Sequence, residues 1–209
     1  MKCLIVTGGT EPKEMLFKEE VAKAELLIAA DKGVETYFKY NVRPDFLLGD
    51  LDSAISVSKE FLDSIKIIKF NPEKDFTDTE LAVEKAIELG ATEIVLLGAT
   101  GTRLDHVIGN LGILNRCLSK NVRAIIKDDN NKIFVVNKGC NLFGEKGQFI
   151  SFQALGEEVK GFSIKGAKYP LDSYNLSFGD PRTISNEFLD SSIHIDFKTG
   201  KILVIYSRD

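Results

Sequence analysis

Five aspartates, Asp31, Asp50, Asp52, Asp75 and Asp78, each fall just after an apolar run. The runs are LLIAA before Asp31, FLLG before Asp50-Leu51-Asp52, and IKIIKF shortly ahead of Asp75-Phe76-Thr77-Asp78. If the runs are parallel strands, the carboxylates collect at one sheet edge, where open α/β sheets hold their ligands. Grouped carboxylates repel and raise one another's pKa unless a cation lies between them, and a divalent metal carrying phosphates meets that need. Taken singly, each acid has a plainer reading. Gly49-Asp50-Leu51-Asp52-Ser53 also reads as an Asp-rich turn, and Asp75 and Asp78 as acids favoured at a helix N-terminus. Their recurrence at successive strand ends favours the metal–phosphate reading.

A second candidate is the run Leu97-Gly98-Ala99-Thr100-Gly101-Thr102-Arg103-Leu104-Asp105-His106, which follows an apolar stretch and enters a helical one. Small residues and helix N-terminal amides can cradle phosphate, and Arg103 offers a bidentate donor. Asp105 is placed to orient Arg103 or His106, or serves only as a capping acid beside a surface histidine. The run lacks the GxxxxGK[ST] spacing of a Walker loop. Gly8-Gly9-Thr10 is another possible anion nest, or a plain strand-to-helix turn. Neither His106 nor His194 has a partner at zinc-ligand spacing, and no serine or cysteine stands in a nucleophile motif. The late segment 183–188 carries Ser185 and Asn186, which suit an organic substrate or an ordinary loop.

The elements that must position these residues change character along the chain. Strands are expected over 3–7, 26–30, 46–48, 65–70, 93–97 and 122–126, with helices over 11–21, 33–39, 58–62, 78–89 and 104–119. Thr77 and Glu80 form a capping-box signature, and Gly90 is a stop. After the polar cluster Asp128-Asp129-Asn130-Asn131 the apolar runs alternate as strands without amphipathic helices. The fold class is therefore α/β: a Rossmann-like, mostly parallel sheet domain over 1–127, followed by an all-β sandwich domain over 128–209.

Composition narrows the partners. A net charge of −4 in 209 residues, with scattered basic residues, gives no nucleic-acid footprint. Cys3, Cys117 and Cys140 are odd in number and lack CxxC spacing, which suits reduced thiols in the cytoplasm. No apolar run is long enough for a membrane span.

In order along the chain stand Ala30-Asp31-Lys32-Gly33, Pro44-Asp45 through Gly49-Asp50-Leu51-Asp52-Ser53, and Lys74-Asp75-Phe76-Thr77-Asp78. Gly98-Ala99-Thr100-Gly101 with Arg103-Leu104-Asp105-His106, Lys168-Tyr169-Pro170-Leu171 and Ser185-Asn186-Glu187 follow. This ordered set resembles thiamine pyrophosphokinases over nearly the whole chain. The resemblance implies an α/β catalytic domain, a β-sandwich that binds thiamine and dimerises, Mg²⁺, and transfer of pyrophosphate from ATP to thiamine. It implies a homodimer with sites shared between subunits. By position, Asp50, Asp52 and Asp78 match the metal and pyrophosphate carboxylates, supported by Asp31 and Asp75. Gly98, Thr100, Gly101, Arg103, Asp105 and His106 match the ATP side, and Ser185 and Asn186 the thiamine segment. Lys74 and the absence of tryptophan depart from some relatives.

Overall fold

The protein is described from a computed structural model, which covers residues 1–49, 56–69 and 76–209. Asp50, Asp52 and Asp75 lie outside the described residues, as does Phe70 at the end of the fourth expected strand. The chain divides into two compact units, Met1–Asp129 and Asn130–Asp209.

In the first unit the strands are β1 (Lys2–Val6), β2 (Leu26–Ala30), β3 (Phe46–Leu48), β4 (Lys66–Ile68), β5 (Glu93–Leu97) and β6 (Arg123–Lys127). They pair in the order β6-β5-β1-β2-β3-β4, every pair parallel. Cys3, Leu4, Ile5 and Val6 are all fully buried. Consecutive burial means that both faces of β1 are covered, the arrangement in which a parallel sheet strand reads as an unbroken apolar run.

The helices are α1 (Glu14–Lys23), α2 (Val34–Lys39), α3 (Lys59–Asp63), α4 (Asp78–Glu88) and α5 (Leu104–Ser119). A 3₁₀ turn, Asp31–Gly33, leads into α2. At the start of α4, Glu80 N–H donates to Thr77 Oγ1 at 3.2 Å and Thr77 N–H to Glu80 Oε2 at 3.0 Å. At its end Gly90 takes φ +91°, Gly90 N–H bonds to Ile87 O and Ala91 N–H to Ala86 O, which closes the helix in a Schellman motif. Asn41 and Asn121, in the same left-handed conformation, end α2 and α5 with the same pair of bonds. Helix α1 begins at Glu14 rather than at residue 11. Glu11 precedes Pro12 and is steered away from helix, while Lys13 remains extended as the N-cap.

The second unit contains two antiparallel sheets. One is ordered β12 (Asn186–Glu187), β9 (Phe149–Ala154), β14 (Ile202–Ser207), β7 (Asn131–Val136). The other is β11 (Leu171–Leu176), β10 (Val159–Lys165), β13 (Ser192–Asp196), β8 (Cys140–Phe143). Ile150, Phe152 and Val204 of the first share a core with Phe162, Ile164 and Ile193 of the second. Strands β8, β11 and β12 were not legible in the sequence. Beyond residue 129 the described residues hold no α-helix, only a 3₁₀ turn, Pro181–Thr183.

Candidate active site

The chain enters its parallel sheet at β1, builds outward through β2, β3 and β4, and returns to the other side of β1 as β5 and β6. The loops leaving β1 and β5 therefore diverge towards helices on opposite sides of a switch in strand order, which opens a crevice beyond the strand ends. A cleft of about 660 Å³ lies there.

The two loops that form its floor are tied to each other. Thr7 N–H donates to Leu97 O at 2.9 Å, Gly9 N–H to Gly98 O at 2.8 Å, and Thr10 N–H to Thr100 O at 2.7 Å. The buried Thr7 hydroxyl adds a bond to Gly98 O at 2.5 Å. Glycine is required on both sides of this seam. A Cβ on Gly9 would come within 2.2 Å of Gly98 O and Thr100 O, and one on Gly98, at φ +67°, within 2.3 Å of Thr7 O. On the wall, Asn110 is buried and its Nδ2 donates to Ala99 O at 2.8 Å.

Of the residues singled out from the sequence, Asp31, Asp78, Gly98, Thr100, Gly101, Arg103 and His106 line this one cleft. Asp31 stands directly after β2 at φ +50°, a left-handed conformation that aspartate tolerates better than most residues. Asp78 is the first residue of α4, where the capping box fixes the helix entry and the positive end of the dipole favours a carboxylate. Arg103, His106, Val107 and Asn110 recur at the spacing of one helix face and turn α5 towards the cleft. The N-cap residue of α5, Arg103, makes no side-chain cap bond, while the His106 amide in the first turn is taken by the Asp105 carboxylate.

Asp105 does not line the cleft; it holds Arg103. Arg103 donates from Nε to Asp105 Oδ1 at 3.2 Å and from Nη2 to Oδ2 at 2.6 Å. That hydrogen-bonded guanidinium pulls the Asp105 carboxyl down to about 2. Both side chains are otherwise solvent-exposed.

Asn186 and Ser185 belong to the second unit. The Asn186 amide is 1% exposed: Tyr169 N–H donates to its Oδ1 at 3.0 Å, and its Nδ2 donates to Tyr169 O at 2.8 Å. Its visible work is thus to join the segment at 168–171 to the segment at 185–187. Lys168 strengthens that junction through a 2.6 Å contact with Glu187. Ser185 is exposed, at φ +56°. His194 faces water, and its Nδ1 lies 2.7 Å from Asn141 Oδ1.

Thr7 and Asn110 line the cleft without having been singled out in the sequence. Gly8-Gly9-Thr10, which the sequence left as an anion nest or a plain turn, spends its Gly9 and Thr10 amides on β5-loop carbonyls some ninety residues away. Asn110 carried one signal: it is a polar residue on the helical face shared with Arg103 and His106.

Asp31 and Asp78 put two hard carboxylates on the cleft walls. Among the described residues no three acidic, histidine or cysteine side chains gather as a metal cage. Mg²⁺ needs only one or two carboxylates when phosphate oxygens and water complete its shell, so the donor chemistry present fits that ion.

Residues 17–126 match the family profile described as thiamin pyrophosphokinase, catalytic domain, and residues 134–202 that of the vitamin B1 binding domain. The chain belongs to the thiamine pyrophosphokinase family. A thiamine pyrophosphokinase of Bacillus subtilis (strain 168) is 29% identical over 98% of each chain. The crystal structure of a Geobacillus thermodenitrificans thiamin pyrophosphokinase aligns with a TM-score of 0.86 and 31% identity, covering 100% of this chain and 98% of that one. The Bacillus subtilis enzyme's crystal structure gives the same TM-score, with 26% identity and full coverage of both chains. The catalytic profile of this family falls on the unit that holds the cleft, and the vitamin-binding profile on the unit that holds Ser185 and Asn186.

Proposed function

We propose that the cleft binds ATP and that the chain transfers its pyrophosphoryl group to the hydroxyl of thiamine, giving thiamine diphosphate and AMP. The observation that carries this reading is the seam of the β1 and β5 loops at the switch point, flanked by Asp31, Asp78 and Arg103. Such a floor of glycine backbone beside a helix N-terminus is suited to a polyphosphate.

In the reaction the thiamine oxygen forms a bond to the β-phosphorus, the bond from that phosphorus to the α-bridging oxygen breaks, and the hydroxyl proton is released. Phosphoryl-type transfers ask the protein mainly for positioning and charge stabilisation. The loop backbone and the first turn of α5 hold the phosphates, while Arg103, set by Asp105, places its fork on phosphate oxygens. Asp78 orients the attacking hydroxyl. Asp50, Asp52 and Asp78 would hold Mg²⁺, with Asp31 and Asp75 in support, and the ion when bound supplies charge neutralisation on the phosphate oxygens. His106 lies on the ATP side of the same wall.

Thiamine is assigned to the second unit through Ser185, and Asn186 contributes by fixing the loop that carries it. The active form is taken to be a homodimer whose subunits share sites, working in the cytoplasm. Buried thiols suit that compartment: burial pushes Cys117 up to about 11 and Cys3 further still, so both remain protonated. Among the described residues no helix is long and apolar enough to cross a membrane.

Mass spectrometry of products from ATP, Mg²⁺ and thiamine tests the reaction. Thiamine diphosphate with stoichiometric AMP is expected. Thiamine monophosphate with ADP would mean an ordinary kinase, and binding without turnover a ligand sensor.

A further inference from the structure

The acidic pair Asp128-Asp129 lies outside every role assigned above, yet each carboxylate reaches back to one of the two loops that make the cleft floor. Asp128 Oδ2 accepts a bond from Thr100 Oγ1 at 2.9 Å in a half-buried setting. Asp129 accepts from the Lys13 backbone N–H, at 3.3 Å and 3.2 Å to its two oxygens, at the N-cap of α1. Thr100 is also the residue whose carbonyl receives Thr10 N–H across the seam. One turn, directly after β6, therefore grips the β5 loop with one acid and the start of α1 with the other. Lys127, immediately before it, is itself held by the buried carboxylate of Glu20 at 2.6 Å.

We infer that Asp128 is a positioning residue for ATP: through the Thr100 hydroxyl it sets the conformation in which the β5 loop presents its backbone to the phosphates. Asp129 anchors the same turn to α1. This rests on the placement of ATP in the cleft. A carboxylate is the suitable partner because it leaves the threonine hydroxyl one direction in which to donate, and a bond to a charged acceptor is stronger than a neutral one. Preorganised loops bind polyphosphate without an ordering cost at the moment of binding, so loosening the loop weakens ATP more than thiamine.

The test is a double-mutant cycle on steady-state kinetics, with KM and kcat measured separately for ATP and for thiamine. Asp128→Ala and Thr100→Val should each raise KM for ATP by about tenfold, the scale of one charge-assisted hydrogen bond, and leave KM for thiamine within about twofold. The combined variant should be no worse than the more damaging single one, because both remove the same bond. Thr100→Ser and Asp128→Asn, which keep a donor and an acceptor in place, should recover most of the ATP affinity. Should Asp128→Ala not fold, Thr100→Val against Thr100→Ser in the otherwise unaltered chain reads the same bond: KM for ATP should rise in the first and stay near the parent's in the second. Additive losses, or equal losses for both substrates, would overturn the inference. If the unaltered chain forms no AMP from ATP and thiamine, the assignment of function fails instead, and that outcome is read before any variant is made.

Discussion

Arg103 meets solvent over 69% of its side chain, so its orientation depends on the paired bonds to Asp105 rather than on packing. Exposed ion pairs contribute little to stability; the consequence of this one is directional. The folded carboxyl titrates at about 2 against an ordinary 3.8, so the pair is complete above the ordinary value and is lost only as pH falls through about 2. Carboxyl-carbon NMR of Asp105 should show that midpoint, and Arg103→Ala should raise it towards the ordinary value, with the His106 amide still holding it somewhat below. Arg103→Lys should raise KM for ATP more than KM for thiamine, since lysine keeps the charge and loses the planar fork. Unchanged ATP kinetics would leave Arg103 a structural residue. Asp52→Asn, which preserves volume and removes charge, should fold normally and lose most of kcat at limiting Mg²⁺. Near-normal turnover would remove Asp52 from the site. The sequence made Asp31, Asp78 and Arg103 visible because strand ends and helix entries have local signatures. What the sequence did not show is that the Asn186 amide bonds to Tyr169, because a polar residue in a turn-rich segment looks the same with or without such a backbone partner.

Helix α1 is held at one point by a buried acid. Glu20 is fully buried, 3.0 Å from Lys2 on β1 and 2.6 Å from Lys127 on β6. Burial opposes its ionisation, but the bonds from Lys127 and Lys2 outweigh that and hold the carboxyl below its ordinary 4.5. The contribution is therefore fully present above pH 4.5 and fades as pH falls through the lower folded value. Glu20→Gln should destabilise by about 3 kcal/mol at neutral pH, towards the low end for a broken buried pair because both lysines keep some water. Urea denaturation at neutral and acidic pH checks this. A gap between variant and parent that fails to shrink in acid would show that ionisation is not what Glu20 contributes. Elements with an intact apolar period, such as α5, or an unbroken apolar run, such as β1, β2 and β5, were legible. Strand β11 was not, since most of Leu171–Leu176 is solvent-facing or half-buried and its pairing with β10 is irregular. Two-residue β12 is too short to show any period.

At the scale of the whole molecule, the residues assigned to phosphate chemistry belong to Met1–Asp129 and those assigned to thiamine to Asn130–Asp209. A site drawn from both units of one chain and a site shared between two chains make opposite predictions for mixed dimers. Ser185 suits the thiamine-side lesion because it is exposed, so Ser185→Arg adds a bulky cation against the cationic thiazolium without emptying a core, unlike removal of the buried Asn186 amide. Asp52→Asn supplies the phosphate-side lesion. Each variant alone should be nearly inactive. If sites are shared across the dimer, a mixed dimer places both lesions in one site and leaves the other intact, so AMP formation should return to about half the parental rate per dimer, as expected for independent sites. Co-expression with two different affinity tags allows the mixed dimer to be purified and assayed. Mixed dimers that form yet remain as inactive as their parents would mean that each site is built within one chain, and that the shared-site reading is wrong.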